Sequence, residues 1–295
     1  MKSEDFFNSS KRVDIGSILR KSIVLIIMGF IFIGSYANPK LASKKQIALF
    51  RNTKTCVVLE DGISYYNAYI QDAVVKYWKS TEYEFIDNTE FEKRRSDSKY
   101  SFLVLMDYVY DKDPAGVSYN YITLVLGGSP AHLKDMPELC SIPLSYSDDK
   151  NTDFEYVIPA VVKFMQKHVK KLESGRFLAS IQGLKMYNRN SEFKDKVLLL
   201  NKDGMALYVD TPDRIKTVYP YYIKLMSSSE IKEEIALDQK NILFHFHVGP
   251  GESSSAGKCF EMIFDVDGSL YYYNSRKITN KEGDGFNLDD FNNIR

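Results

Sequence analysis

The sequence predicts an α/β fold, with α+β additions, built as two related units, each a mixed sheet with flanking helices. Three observations carry this. Residues 83–109 and 223–249 align at a shift of 140 with no gap, so that Phe85 falls on Leu225, Thr89-Glu90-Phe91 on Ser229-Glu230-Ile231 and Phe102-Leu103-Val104 on Ile242-Leu243-Phe244. The register continues through Ile122 on Met262, Leu124 on Phe264 and Gly128 on Gly268, and "CVVL" (56–59) meets "VLLL" (197–200) with one residue of slippage. Short apolar runs alternate with amphipathic stretches, and the recurring order is strand, helix, strand, helix, strand, strand, as expected of an internal duplication.

The elements follow in order. "TCVVLE" is a short apolar run that suits a strand buried on both faces. Tyr66, Tyr69, Ile70, Ala73, Val74, Tyr77 and Trp78 fall at helical spacing, with Ser64 placed to cap the helix. A strand–helix–strand order requires a crossover, hence a parallel pair. Thr89 and Ser229 mark matching helix starts, with Glu90 and Glu230 favourable in the first turn. "VSYNYITLVLGG" and "KCFEMIFDVDGSLYYYNS" read as antiparallel additions, the second turning at Asp267-Gly268. Residues 153–173 read as a long amphipathic helix with Pro159 in its first turns and Gly175 as its stop. The expected organisation is a polar lead-in over 38–52, a first unit over 53–174, a linker over 175–195, a second unit over 196–277 and a C-terminal tail over 278–295.

Residues 1–37 have a different character. "SIVLIIMGFIFIG" (22–34) follows Arg20-Lys21 and precedes Ser35-Tyr36-Ala37, the order of a signal peptide with cleavage after Ala37. The alternative is an uncleaved inner-membrane anchor through residues 20–37, although the run is shorter than the ~20 residues of a bilayer span. Either way the rest of the chain is expected to be exported, periplasmic or extracellular, with membrane contact only through 22–37. The 39 basic and 39 acidic side chains leave no surplus to neutralise phosphates, which argues against nucleic acid as a partner. Three cysteines, Cys56, Cys140 and Cys259, cannot all pair within the chain; one disulfide remains open, with its pair unspecified.

Several stretches imitate known sites. "GPGESSSAGKC" (249–259) has P-loop material, but five residues separate Gly251 from Gly257, Cys259 stands where the Mg²⁺-binding hydroxyl belongs, and a strand follows rather than a helix. It is expected to be a mobile loop between strands. "DVDGS" (265–269) opens like a calcium loop, but Arg276 stands at the twelfth place, where that loop needs Glu. "DKDPAG" (111–116) reads as turn chemistry. The tyrosines of "LYYYNS" alternate across a strand, so a sugar- or peptide-binding face competes with ordinary core and surface use.

His245 and His247 in "LFHFHVG" lie two apart on a strand and share a face, the arrangement of a divalent-metal pair, with Glu252, Asp265 or Asp267 as a third ligand. The competing reading puts both on a polar face behind Phe244 and Phe246. At the ungapped shift they match Leu105 and Asp107, so the first copy carries no such pair. Cys259 could approach either histidine from the next strand, although burial is the usual fate of such a cysteine.

"CVVLEDGISYYNAYIQDAVVKYW" followed by "YEFID", together with "FHFHVGPG", resembles exported proteins of Bacteroidota without an assigned function. The strand–helix–strand plan is similar to that of TolB-type amino-terminal domains. The resemblance implies no catalytic residue. The expectation is a non-enzymatic envelope protein that binds a partner protein; the alternatives are a metal-binding protein or metal-assisted hydrolase at His245/His247, and a small-ligand binder between the units.

Overall fold

The computed structural model describes residues 41–62, 64–110, 118–128, 135–146, 154–188, 192–209, 211–237, 240–251, 256–279 and 283–295. The expected leader or anchor, the "DKDPAG" turn and Glu252 lie outside the described residues. No helix among the described residues is long and apolar enough to cross a membrane.

In the first half the chain runs α1 (Lys44–Leu49), β1 (Lys54–Val58), α2 (Tyr65–Tyr77), β2 (Tyr83–Ile86), α3 (Asn88–Arg94), β3 (Tyr100–Val109), β4 (Ser118–Leu126) and β5 (Glu138–Tyr146). The long helix α4 (Ile158–Gln182) leads into the second half: β6 (Val197–Asn201), α5 (Pro212–Val218), β7 (Ile223–Met226), α6 (Ser228–Ala236), β8 (Ile242–Val248), β9 (Lys258–Asp265), β10 (Leu270–Lys277) and α7 (Leu288–Ile294). Ser64 is the residue before α2, as expected, but its hydroxyl makes no capping bond. The caps of α3 and α6 are Asp87 and Ser227, two residues before Thr89 and Ser229; each accepts from the backbone N–H of Glu90 or Glu230. Gly175 kinks α4 (φ −112°, ψ 16°) without ending it, and the stop is Gly183 at φ 55°, a left-handed conformation that glycine adopts cheaply. The described ends of 249–257 join β8 to β9, strand to strand, as the failed P-loop pattern requires.

The two five-stranded sheets have the same plan. The first runs β2-β1-β3-β4-β5 and the second, read from its other edge, β7-β6-β8-β9-β10. In each, the first strand pairs in parallel with the second and third, and the last three are antiparallel. The register corrects the ungapped match. Cys56 pairs with Phe102 and Val57 with Leu103, while Leu198 pairs with Leu243 and Leu199 with Phe244. Val57, Leu103, Leu199 and Phe244 all face the main core. Face for face, β3 therefore maps on β8 with a shift of 141, and His245 and His247 replace Val104 and Met106, not Leu105 and Asp107. The shift of 140 holds from β4 to β9, where Leu103↔Leu124 corresponds to Phe244↔Phe264.

The sheets share one core. Leu103, Ile122 and Leu124 of the first and Phe244, Met262 and Phe264 of the second belong to one buried cluster that α2 and α4 complete. Burial of that much apolar area, at about 25 cal/mol per Å², dominates the stability. Two tyrosines cross between the halves: Tyr119 Oη accepts from Lys258 N–H at 2.6 Å, and Tyr156 Oη donates to the His245 carbonyl at 3.0 Å. The outer face of the first sheet is apolar, with Phe102, Val104, Met106 and Val125 under Phe91 and Met136. The outer face of the second is covered by the end of the chain, where the expected tail instead buries Phe286, Phe291 and Ile294.

Candidate functional site

Alternation along β8 sends Phe244, Phe246 and Val248 into the shared core and turns His245 and His247 to the outer face. There His247 stands opposite Glu261 of β9, and Cys259 opposite Arg276 of β10. Gly204 closes over the histidines: a Cβ on it would lie 2.6 Å from His247 Cβ, so only glycine lets the backbone approach. Phe286 packs edge-on against His245 at 4.8 Å between ring centres.

Glu261 is the hub. It is fully buried and accepts from three donors: His245 Nε2 (2.7 Å), His247 Nδ1 (3.0 Å) and Cys259 Sγ (2.9 Å). Burial alone would raise its pKa, but His247 and His245 outweigh it and hold the carboxyl at about 2. His247 has carboxylates at both nitrogens, Glu261 at Nδ1 and Asp284 Oδ2 at Nε2 (3.3 Å), so both nitrogens carry protons. Burial opposes that charge, yet Glu261 and Asp284 lift its pKa well above the usual imidazole range. The Cys259 thiol is pushed well up by burial and by Glu261. His245 Nε2–H donates to Glu261, and its buried Nδ1 finds no hydrogen-bond partner among the described residues.

A second layer ties the chain end to the sheet. Arg276 Nη1 donates to Asp290 Oδ2 (3.0 Å), and Tyr272 Oη and Asn274 Nδ2 each donate to Asp290 Oδ1 at 2.8 Å. Asp284 accepts from the backbone N–H of Gly251 (2.7 Å) and Gly285 (3.0 Å). His247 and Asp284 also line a cavity of about 380 Å³, shared with Tyr146, Phe154, Asn201 and Asp203, which lies between the two halves.

His245 and His247 thus share a face, and the carboxylate that meets both is Glu261, not Asp265 or Asp267; Glu252 lies outside the described residues. Asp265 Oδ1 accepts from Ser269 N–H (2.7 Å) in the β9–β10 hairpin, and Asp267 lines a separate cleft with Lys163 and Lys232. The missed residues are Glu261 and Asp284. Glu261 left a signal in "CFEMIF": an acid inside an apolar strand, two residues from a cysteine and therefore on its face. Asp284 left none, because "GDGFN" reads as a turn. All three cysteines are free and buried, so no disulfide forms. Tyr271 and Tyr272 are buried and Tyr273 half-buried, which leaves no exposed aromatic platform on that strand.

His247, Cys259 and Glu261 each offer an atom within 4.8 Å of the other two. Nitrogen, thiolate and carboxylate are the donor set of zinc-class ions, whose tetrahedral ligand atoms stand roughly 3.4–3.7 Å apart. The present separations, 2.9 to 3.9 Å, need adjustments of about half an ångström. Charge also balances. A divalent ion would displace one proton from His247 Nδ1 and one from Cys259, leaving the net charge of the cluster unchanged. His247 Nε2–H on Asp284 and Glu261 Oε2 on His245 supply the outer hydrogen bonds that orient metal ligands. No protein-family model, curated protein or solved structure matches this chain.

Proposed function

We propose that this protein is a divalent-metal-binding protein of the zinc class, non-enzymatic, with His247 Nδ1, Cys259 Sγ and Glu261 Oε1 as ligands. The supporting observation is the comparison between the two sheets. At the places of His245 and His247 the first sheet has Val104 and Met106 on an apolar outer face, so the fold itself does not call for an ionisable cluster there. Buried charge is costly, and a metal gives these residues a use that the duplicated architecture does not. Cys259 and Glu261 are fully buried, which keeps substrate away and favours a metal that fixes the chain end to the sheet over one that catalyses.

The test is elemental analysis of the purified full chain, followed by cobalt(II) titration. One ion per chain and a thiolate-to-cobalt absorption band that Cys259→Ser abolishes support the reading. Substoichiometric metal, with no cobalt band, ends it. A second reading, a small polar ligand between the halves, draws on the cavity walled by Asn201, Asp203, His247 and Asp284. Asn201→Leu would weaken such a ligand while leaving the cobalt band in place.

A further inference from the structure

The second half of α4 carries an exposed apolar stripe: Phe177 is 77% exposed, Ile181 66% and Leu178 41%. Phe177 and Ile181 are one turn apart and so lie side by side. The stripe begins where the described chain begins. Arg176 Nε donates to the Ala42 carbonyl (2.7 Å), and Arg51 on the segment after α1 pairs with Glu173 (2.7 Å). Charge in the two segments that meet here is lopsided although the whole chain is balanced. Residues 41–53 carry Lys44, Lys45 and Arg51 and no acid, and residues 168–188 carry four Lys or Arg against Glu173 alone.

We propose that residues 22–34 stay in the chain as a membrane anchor, the alternative to cleavage after Ala37, and that this stripe rests in the headgroup region of the same anionic bilayer. The sequence sets the tether. Gly34 and Leu41 are seven residues apart, a span of at most roughly 25 Å. With the apolar run in lipid, Leu41 and the Arg176–Phe177 turn beside it are held within that reach of the membrane surface. An aromatic and two aliphatic side chains then enter the interface while exposed lysines of the two segments, Lys44, Lys45, Lys170 and Lys185, meet lipid phosphates, the balance by which interfacial helices bind. The inference does not depend on the metal site.

The test uses the full chain with an environment-sensitive fluorophore on Phe177→Cys, on Ile181→Cys, or on Tyr222→Cys, an exposed position near β7. The three native cysteines are buried and leave the added thiol as the reactive one. Vesicles containing phosphatidylglycerol should blue-shift emission and raise it severalfold at 177 and 181 but not at 222, and added salt should weaken the change. Three results overturn the proposal: no binding to these vesicles, binding without a shift at 177 and 181, or the same shift without vesicles, which would mean a second copy or residues 22–34 cover the stripe.

Discussion

Glu261 Oε2 lies 2.7 Å from His245 Nε2 with both side chains fully buried, whereas the first sheet holds apolar Val104 and Met106 at the places of His245 and His247. The comparison separates what the architecture needs from what the cluster adds. Glu261→Gln leaves the His247 charge facing Asp284 alone in a buried site, and a loss of about 3–5 kcal/mol is expected in urea unfolding. Restoring the apolar character of the first sheet with His245→Val, His247→Met and Glu261→Leu together should recover most of that loss while abolishing metal binding. A triple variant no more stable than Glu261→Gln would show that the second sheet depends on the network.

Gly204 gives a steric test of the same site. A Cβ there meets His247 Cβ at 2.6 Å and His245 Cε1 at 3.0 Å, both atoms of packed side chains. Gly204→Ala should cost about 1–3 kcal/mol, as overpacking does, and weaken cobalt binding by displacing His247. The control is Gly62→Ala, where no atom lies within 4 Å; its φ of +81° is unfavourable to alanine, so any cost there is backbone strain and should leave the cobalt band unaltered.

The fold was legible where periodicity and turn chemistry coincide. β1, α2 and the Asp267-Gly268 hairpin follow from apolar spacing and a left-handed glycine at φ +73°. Register was not legible. A shift of one residue between β3 and β8 leaves the ungapped match looking continuous, yet it moves every side chain to the other face. β5 escaped because Pro143 interrupts "ELCSIPLSY". The chain end escaped because its apolar residues, Phe286, Phe291 and Ile294, are sparse among Asn and Asp, and their burial depends on the sheet they cover. In the site, two histidines on one face followed from alternation, whereas Glu261 and Asp284 converge only once β9 and the chain end are in place.

His168 supplies a pH dependence away from the metal cluster. It is 4% exposed, its Nδ1 lies 2.8 Å from Tyr187 Oη, and burial with nearby Lys171 lowers its pKa to about 4. The unfolded value is about 6.5, so between those values the unfolded chain binds the extra proton. Stability from this group is full above pH 6.5 and falls as pH drops through 4, by up to ~3 kcal/mol at about 1.4 kcal/mol per pH unit. Urea midpoints across that range should therefore decline more steeply in the wild type than in His168→Gln, and parallel curves would refute the assignment.

The shared core makes a claim about cooperativity. Trp78, the single tryptophan, is buried in the first half near Phe50, whereas far-ultraviolet circular dichroism reports both sheets. Because one cluster joins Leu103 and Ile122 to Phe244 and Met262, the halves should unfold together, with coincident urea curves by the two probes. Tyr119→Phe removes the hydroxyl that accepts from Lys258 N–H and donates to its carbonyl at 2.9 Å, and should lower both midpoints equally, for a loss of about 1–3 kcal/mol. Separate transitions, with only one moved by Tyr119→Phe, would mean that each sheet stands on its own outer cluster and that the shared face is a docking surface between two domains.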